Sequence, residues 1–141
     1  MQLKKFTDYS LRLLIQLAVT PGEWVSINTV ATSYDISRNH LLKIVTELSQ
    51  QGLIQTQRGK HGGLRLNRAP SEINVGELIA SLEGKGTLVD CSTPLCPILP
   101  ACSLRTVLDE AQAAFYQSLR RYTLDDLVRG QERQLIKLIS A

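Results

Sequence analysis

The sequence predicts a mainly α-helical protein with one small β-hairpin: a winged helix-turn-helix head, a cysteine-rich loop and a long helix that pairs with a second copy. Three observations lead there. Residues 7–68 run helix, helix, helix, hairpin in their hydrophobic periodicity. The stretch "CSTPLCPILPAC" (91–102) holds every cysteine and three of the five prolines. Directly after it, 103–122 is the longest stretch with helical periodicity.

The elements follow in order. "TDYSLRLLIQLAVT" (7–20) is apolar along one broad face, with Thr7 placed to cap its first turn and Pro21-Gly22 to end it. "WVS" (24–26) reads as a short strand, and Ser26 then caps a second helix, "INTVATSYD". Ser37 caps the third, in which Leu41, Ile44, Val45 and Leu48 share one face, and Gly52 stops it. Past Gly52 the period becomes alternating: "LIQTQR" and "LRLNR" are strands joined by "GKHGG", and Pro70 closes the unit. "NVGELIASLEG" (74–84) is a short helix. Leu104, Leu108, Ala111, Phe115 and Leu119, three or four residues apart, make 103–122 a helix. Thr123 caps a further turn, "LDDLV", and "RQLIKLI" reads as a helical tail. The expected organisation is a DNA-binding head over 1–70, a short helix and cysteine loop over 71–102, a dimerisation helix over 103–122 and a tail over 123–141.

Composition bounds the class. With 141 residues, 43% hydrophobic and 21% charged, the chain has the makeup of one globular unit with a real core. The net charge of +3 is unevenly placed: residues 1–70 hold nine Lys/Arg against four Asp/Glu, and residues 71–141 hold seven against nine. A basic front half points to a polyanionic partner. Arg12 and Gln16 interrupt the first apolar stretch, so it does not read as a signal peptide, and no stretch is long enough to span a bilayer. The expected location is cytoplasmic, with no membrane partner.

Crossing the apolar stripes of the second and third helices leaves Arg38, Asn39, His40 and Lys43 on the far side, where a recognition helix presents side chains to the major groove of double-stranded DNA. Asn39 suits adenine and Arg38 guanine in bidentate pairing. The hairpin adds Arg58, Lys60, His61, Arg65 and Arg68 with no acidic residue, a set able to neutralise phosphates. The apolar face of 103–122 is longer than its own small unit can cover, which implies a homodimer, and two heads address two half-sites of a palindrome.

The three cysteines are an odd count in a reducing compartment, which argues against a structural disulfide. Three thiolates plus one more donor can hold zinc, although the spacing C-x4-C-x5-C lacks a C-x2-C knuckle. Prolines 94, 97 and 100 forbid a helix and hold an irregular loop suited to a larger object, such as an iron–sulfur cluster. The last cysteine also precedes a helix start, where the dipole favours an anion. The residues favour a cluster over zinc and leave both open. No base, acid or cofactor loop lies near the cysteines in sequence, so the chain does not read as an enzyme.

"FTDYSLRLLIQLA", "SRNHLLKIV", "RGKHGGLRL" and C-x4-C-x5-C ahead of a long helix together resemble the bacterial winged-helix iron–sulfur regulators, over nearly the whole chain and most of all their nitric-oxide-sensing branch. The resemblance implies a homodimeric repressor of nitric oxide detoxification genes acting at a palindromic operator. It implies an iron–sulfur cluster on Cys91, Cys96 and Cys102, 4Fe–4S ahead of 2Fe–2S, whose nitrosylation releases DNA. It also implies that Asp8, contributed by the partner subunit, completes the cluster as a hard, displaceable ligand on a soft centre. Without the resemblance, Asp8 is an ordinary dipole-favourable acid in a first helical turn. The sibling branch that regulates iron–sulfur assembly has a histidine three residues after the last cysteine, where this chain has Arg105. That branch, as a regulator of iron–sulfur or redox status, and a structural zinc site are the alternatives.

Overall fold

The computed structural model describes all 141 residues. The fold comprises seven α-helices and one two-stranded antiparallel sheet. The head is built from α1 (Lys5–Val19), α2 (Ile27–Tyr34), α3 (Arg38–Gln50), β1 (Ile54–Gln57) and β2 (Gly63–Leu66). Then come α4 (Val75–Glu83), α5 (Leu104–Leu119), α6 (Leu124–Val128) and α7 (Glu132–Ile139). The winged helix-turn-helix expected from the sequence is present. No helix is long and apolar enough to cross a membrane.

Local chemistry explains most boundaries. Ser26 caps α2 by accepting from the Thr29 amide at 3.0 Å, and Ser37 caps α3 by accepting from the His40 amide at 3.2 Å. Gly52, at φ +70°, turns the chain out of α3 into the hairpin, whose register pairs Ile54 with Leu66 and Gln57 with Gly63. The short strand expected at "WVS" is one bridge wide: the Val25 and Leu64 amides and carbonyls pair reciprocally at 2.9 and 2.7 Å.

The start of α1 differs from expectation. The helix begins at Lys5, so Thr7 is not its cap but a fully buried residue inside it. The reason lies in α4: the Lys4 amide donates to Glu83 Oε1 at 2.9 Å, so α4 satisfies an orphan N–H that a side-chain cap would otherwise take. Thr7, Ser10, Leu13, Leu14 and Leu17 then line the inward face of α1.

The core joins Leu13, Leu14 and Leu17 of α1 to Val30, Leu41, Ile44 and Leu48, each almost fully buried and each contributing about 1.5–3 kcal/mol by leaving water. Ile73, Leu78, Leu124 and Val128 belong to the same cluster, so the chain beyond residue 70 returns to complete the core of the head. Within this later part, Leu124 N donates to Ile73 O at 2.9 Å and Val75 N to Tyr122 O at 3.0 Å, joining the starts of α4 and α6. The cap of α6 is the one the sequence suggests, Thr123, here in a reciprocal box with Asp126.

α5 stands apart: none of its sixteen residues is buried. It packs antiparallel on α4, with Asn74 Nδ2 donating to Arg120 O at 2.8 Å near one end and Gln112 Nε2 donating to Gly86 O at 3.0 Å further along. α4 has nine residues, so the two helices are about 13 and 24 Å long at 1.5 Å per residue. The first two turns of α5 therefore project past α4, with Leu104 56% and Val107 58% exposed.

Candidate functional site

Two surfaces carry the residues singled out by the sequence. On the first turns of α3, Arg38, Asn39 and Lys43 are exposed, on the side opposite buried Leu41, Ile44 and Leu48. His40 is placed differently. It is half-buried, its ring 5.1 Å from Tyr9 in an edge-on arrangement and 6.5 Å from Phe6, so it joins α3 to α1. Leu42 was not singled out, yet it is 44% exposed between Asn39 and Lys43. It falls out of phase with the buried stripe, a signal present in the sequence, and an apolar side chain there suits a thymine methyl.

In the wing, Arg58, Lys60 and His61 are exposed at the tip. The backbone there is drawn tight: a Cβ on Gly62 would lie 2.0 Å from the Gln57 carbonyl oxygen, so only glycine fits. Arg65 is engaged elsewhere. Its guanidinium sits 4.2 Å from the Trp24 ring centre, and its Nε donates to Gln55 Oε1 at 2.8 Å. Gln55 Nε2 in turn donates to Asn67 Oδ1 at 2.6 Å, and Asn67 Nδ2 to the Gly52 carbonyl at 3.0 Å. This ladder braces the flank of the wing. Arg68 turns away to donate to the Glu72 carbonyl at 3.1 Å.

The second surface is the cysteine loop. Asp90 opens it with an Asx turn, Oδ1 accepting from the Ser92 amide at 2.8 Å, the Ser92 hydroxyl at 2.7 Å and the Thr93 amide at 3.1 Å. These bonds hold its carboxyl below the usual carboxylate range. Next, Cys96 N donates to Cys91 O at 3.0 Å and Leu99 N to Cys96 O at 3.2 Å. A single 3₁₀ turn, Leu99–Ala101, leads into Cys102, two residues before α5. All three thiols are free and partly exposed. No three His, Cys, Asp or Glu side chains of the chain converge closely enough to hold a single metal ion. Arg105 is exposed and 3.8 Å from Asp109.

Asp8 lies on the first turn of α1, where Arg12 grips both its oxygens, Nε to Oδ1 at 2.9 Å and Nη2 to Oδ2 at 2.8 Å. That hydrogen bond raises the Arg12 guanidinium pKa further. The fold does not bring Asp8 into a group with this chain's own cysteines.

A family model described as Rrf2, iron-dependent transcriptional regulator, matches residues 3–130. The chain belongs to the Rrf2 family. The Rrf2 match covers head, cysteine loop, α5 and α6, and α7 lies beyond it. The transcriptional regulator NsrR of Bacillus subtilis is 44% identical over 143 residues, spanning 99% of this chain and 97% of its own. NsrR of Halalkalibacterium halodurans is 45% identical over 144 residues, 98% and 99% of the two chains. Among solved structures, CymR of B. subtilis, the global cysteine regulator, superposes with a TM-score of 0.72 at 28% identity, covering 90% of this chain and 95% of its own. IscR of T. potens superposes with a TM-score of 0.73 at 24% identity, covering 95% and 90%, a likeness of fold. The Rrf2 fold thus accounts for the arrangement from the N-terminus to α6.

Proposed function

We propose that the chain is a homodimeric NsrR-type repressor that reads operator DNA with the exposed face of α3 and the wing tip, and that Cys91, Cys96 and Cys102 hold an iron–sulfur cluster, 4Fe–4S in this reading, whose loss to nitric oxide lowers DNA affinity. The observation that carries the reading is the loop: three free thiols on a proline-held turn at the start of α5. The loop supplies three thiols, one donor short of the four that a zinc ion takes. The iron-dependent description of the family and the NsrR likeness support the same group.

When bound, an iron–sulfur group supplies iron able to take up nitric oxide. The chain's own residues do the rest. The three thiolates tie the loop to the start of α5, where the helix dipole favours negative charge. In the dimer, Asp8 of the partner subunit supplies the fourth donor. Its carboxylate would be a weak partner for a soft centre, and Arg12, four residues on, donates to both of its oxygens. Arg58, Lys60 and Lys43 neutralise phosphates, while Arg38 and Asn39 meet base edges. A change in ligation at the loop reaches the heads through α5, a two-state element biased by a local event.

Anaerobically purified protein, titrated with nitric oxide while operator binding is followed, tests this. The expected result is a loss of affinity that tracks loss of visible absorbance. If the metal-free protein binds the operator as tightly as the loaded form, the sensing mechanism is wrong.

A further inference from the structure

We propose that the cleft between the end of α1, the start of α2 and α7 is a binding site for a small organic ammonium ion, a primary amine carrying a short apolar group. The cleft has a volume of about 230 Å³. Its walls are Gln16 and Val19 of α1, Glu23 and Trp24 of the following turn, and Ile136 and Ile139 of α7. No residue of the cysteine loop, of α5 or of α3 lines it, so it is separate from both surfaces described above. α7 follows the residues that match the Rrf2 family, so one wall comes from outside that span.

Gln16 carries the inference. Its side chain is 4% exposed, yet its Oε1 has no hydrogen-bond partner. Buried polar groups in folded proteins are paired in the great majority of cases. The neighbouring polar groups are committed elsewhere. Thr20 Oγ1 donates to the Gln16 carbonyl at 3.1 Å, and Ser26 Oγ meets the Thr29 amide at 3.0 Å and the Thr29 hydroxyl at 2.8 Å. The Val25 amide and carbonyl pair with Leu64. Ser140, exposed at the rim, bonds either way and sets no preference.

Two acceptors remain, Gln16 Oε1 inside and the exposed Glu23 carboxylate, which belongs to none of the chain's three ion pairs. Glu23 sets the sign: the occupant donates N–H and carries positive charge. Val19, Ile136, Ile139 and the Trp24 ring line the space for its apolar part. A cavity of about 150 Å³ holds benzene, so this volume takes roughly nine non-hydrogen atoms. An occupant held by Gln16 and Glu23 fastens α7 to the turn that leads into the helix-turn-helix.

Trp24 is the only tryptophan of the chain, so its fluorescence reports on the cleft. Full-length protein is titrated with 2-phenylethylammonium and n-butylammonium chloride, and with 2-phenylethanol and n-butanol as uncharged matches. The expected result is saturable binding of at least one ammonium ion, with the matched alcohol about tenfold weaker or more. Hydrogen exchange is expected to slow in residues 16–29 and in α7. Glu23→Gln, at the surface, and Gln16→Met, of similar length, should each weaken ammonium binding about fivefold or more. Glu23→Gln decides alone if Gln16→Met does not fold. No saturable binding of either ammonium ion, an alcohol that binds equally well, protection confined to other segments, or unchanged affinity in Glu23→Gln overturns the proposal.

Discussion

His40 on the recognition helix meets Tyr9 of α1 edge to face, ring centroids 5.1 Å apart and planes at 70°. Tyr9 follows Asp8, and the Arg12 guanidinium that grips Asp8 lies 5.8 Å from the Tyr9 ring centre. The first turn of α3 thus rests on the turn of α1 that bears the candidate ligand. Removing the ring should loosen α3 without deleting a base contact. An aromatic contact of this kind is worth about 0.5–1.5 kcal/mol, so His40→Ala should weaken DNA binding roughly twofold to tenfold. The loss should be the same on operator and on unrelated DNA. A loss confined to the operator would place His40 at a base edge instead.

The wing separates two kinds of arginine. Arg58 is exposed at the tip, while Arg65 is stacked on Trp24 and bonded to Gln55. Arg58→Ala should lower the slope of log affinity against log salt by about 1, the signature of one lost phosphate contact. Arg65→Ala should leave that slope unchanged and lower stability by roughly 0.5–1 kcal/mol, with Trp24→Ala non-additive beside it in a double-mutant cycle. Equal salt slopes in the two variants would contradict this division.

Periodicity, caps and glycines made the fold legible, because these act over a few residues: Ser26, Ser37 and Thr123 cap the helices they precede, and Gly52 ends α3. The long-range partners were not legible. Nothing near Thr7 announces that Glu83, seventy-nine residues beyond Lys4, takes over the capping of α1. In the same way, Arg65 looks like a free cation in sequence, and only the tertiary fold sets Trp24 against it. The cysteine loop stands out in sequence because spacing and prolines are local, and the role proposed for Asp8 comes from resemblance alone.

Acid should reach the α6 cap through Asp126. Its carboxylate accepts from the Thr123 amide at 2.8 Å and the Thr123 hydroxyl at 3.0 Å, which holds its pKa below the usual range. A depressed folded-state pKa contributes stability that is present above the ordinary carboxylate range and is lost as pH falls through the folded value. Asp126→Asn should therefore flatten the acid side of a melting temperature against pH profile. An unaltered acid limb would show that other carboxylates dominate it.

Gly76 is where α4 meets the end of α5. A Cβ there would lie 2.5 Å from the Arg120 amide nitrogen and 2.9 Å from its Cα, backbone atoms that cannot swing aside. Gly76→Ala should separate the helices and destabilise by about 1–3 kcal/mol in urea unfolding, despite alanine's better helix propensity. A stabilised variant would mean that α5 moves freely on α4.

Thr7 offers a test whose sign decides between two accounts of α1. Read as a cap, its hydroxyl would hold an orphan amide, and its loss would destabilise by about 1 kcal/mol. In the structure it is fully buried in the first turn and its Oγ1 has no hydrogen-bond partner. An unpaired buried hydroxyl carries a desolvation penalty of roughly 1–3 kcal/mol, and valine keeps the branched shape without it. Thr7→Val should therefore raise the urea midpoint at unchanged m-value. A lowered midpoint would return Thr7 to a capping role and move the start of α1 three residues on.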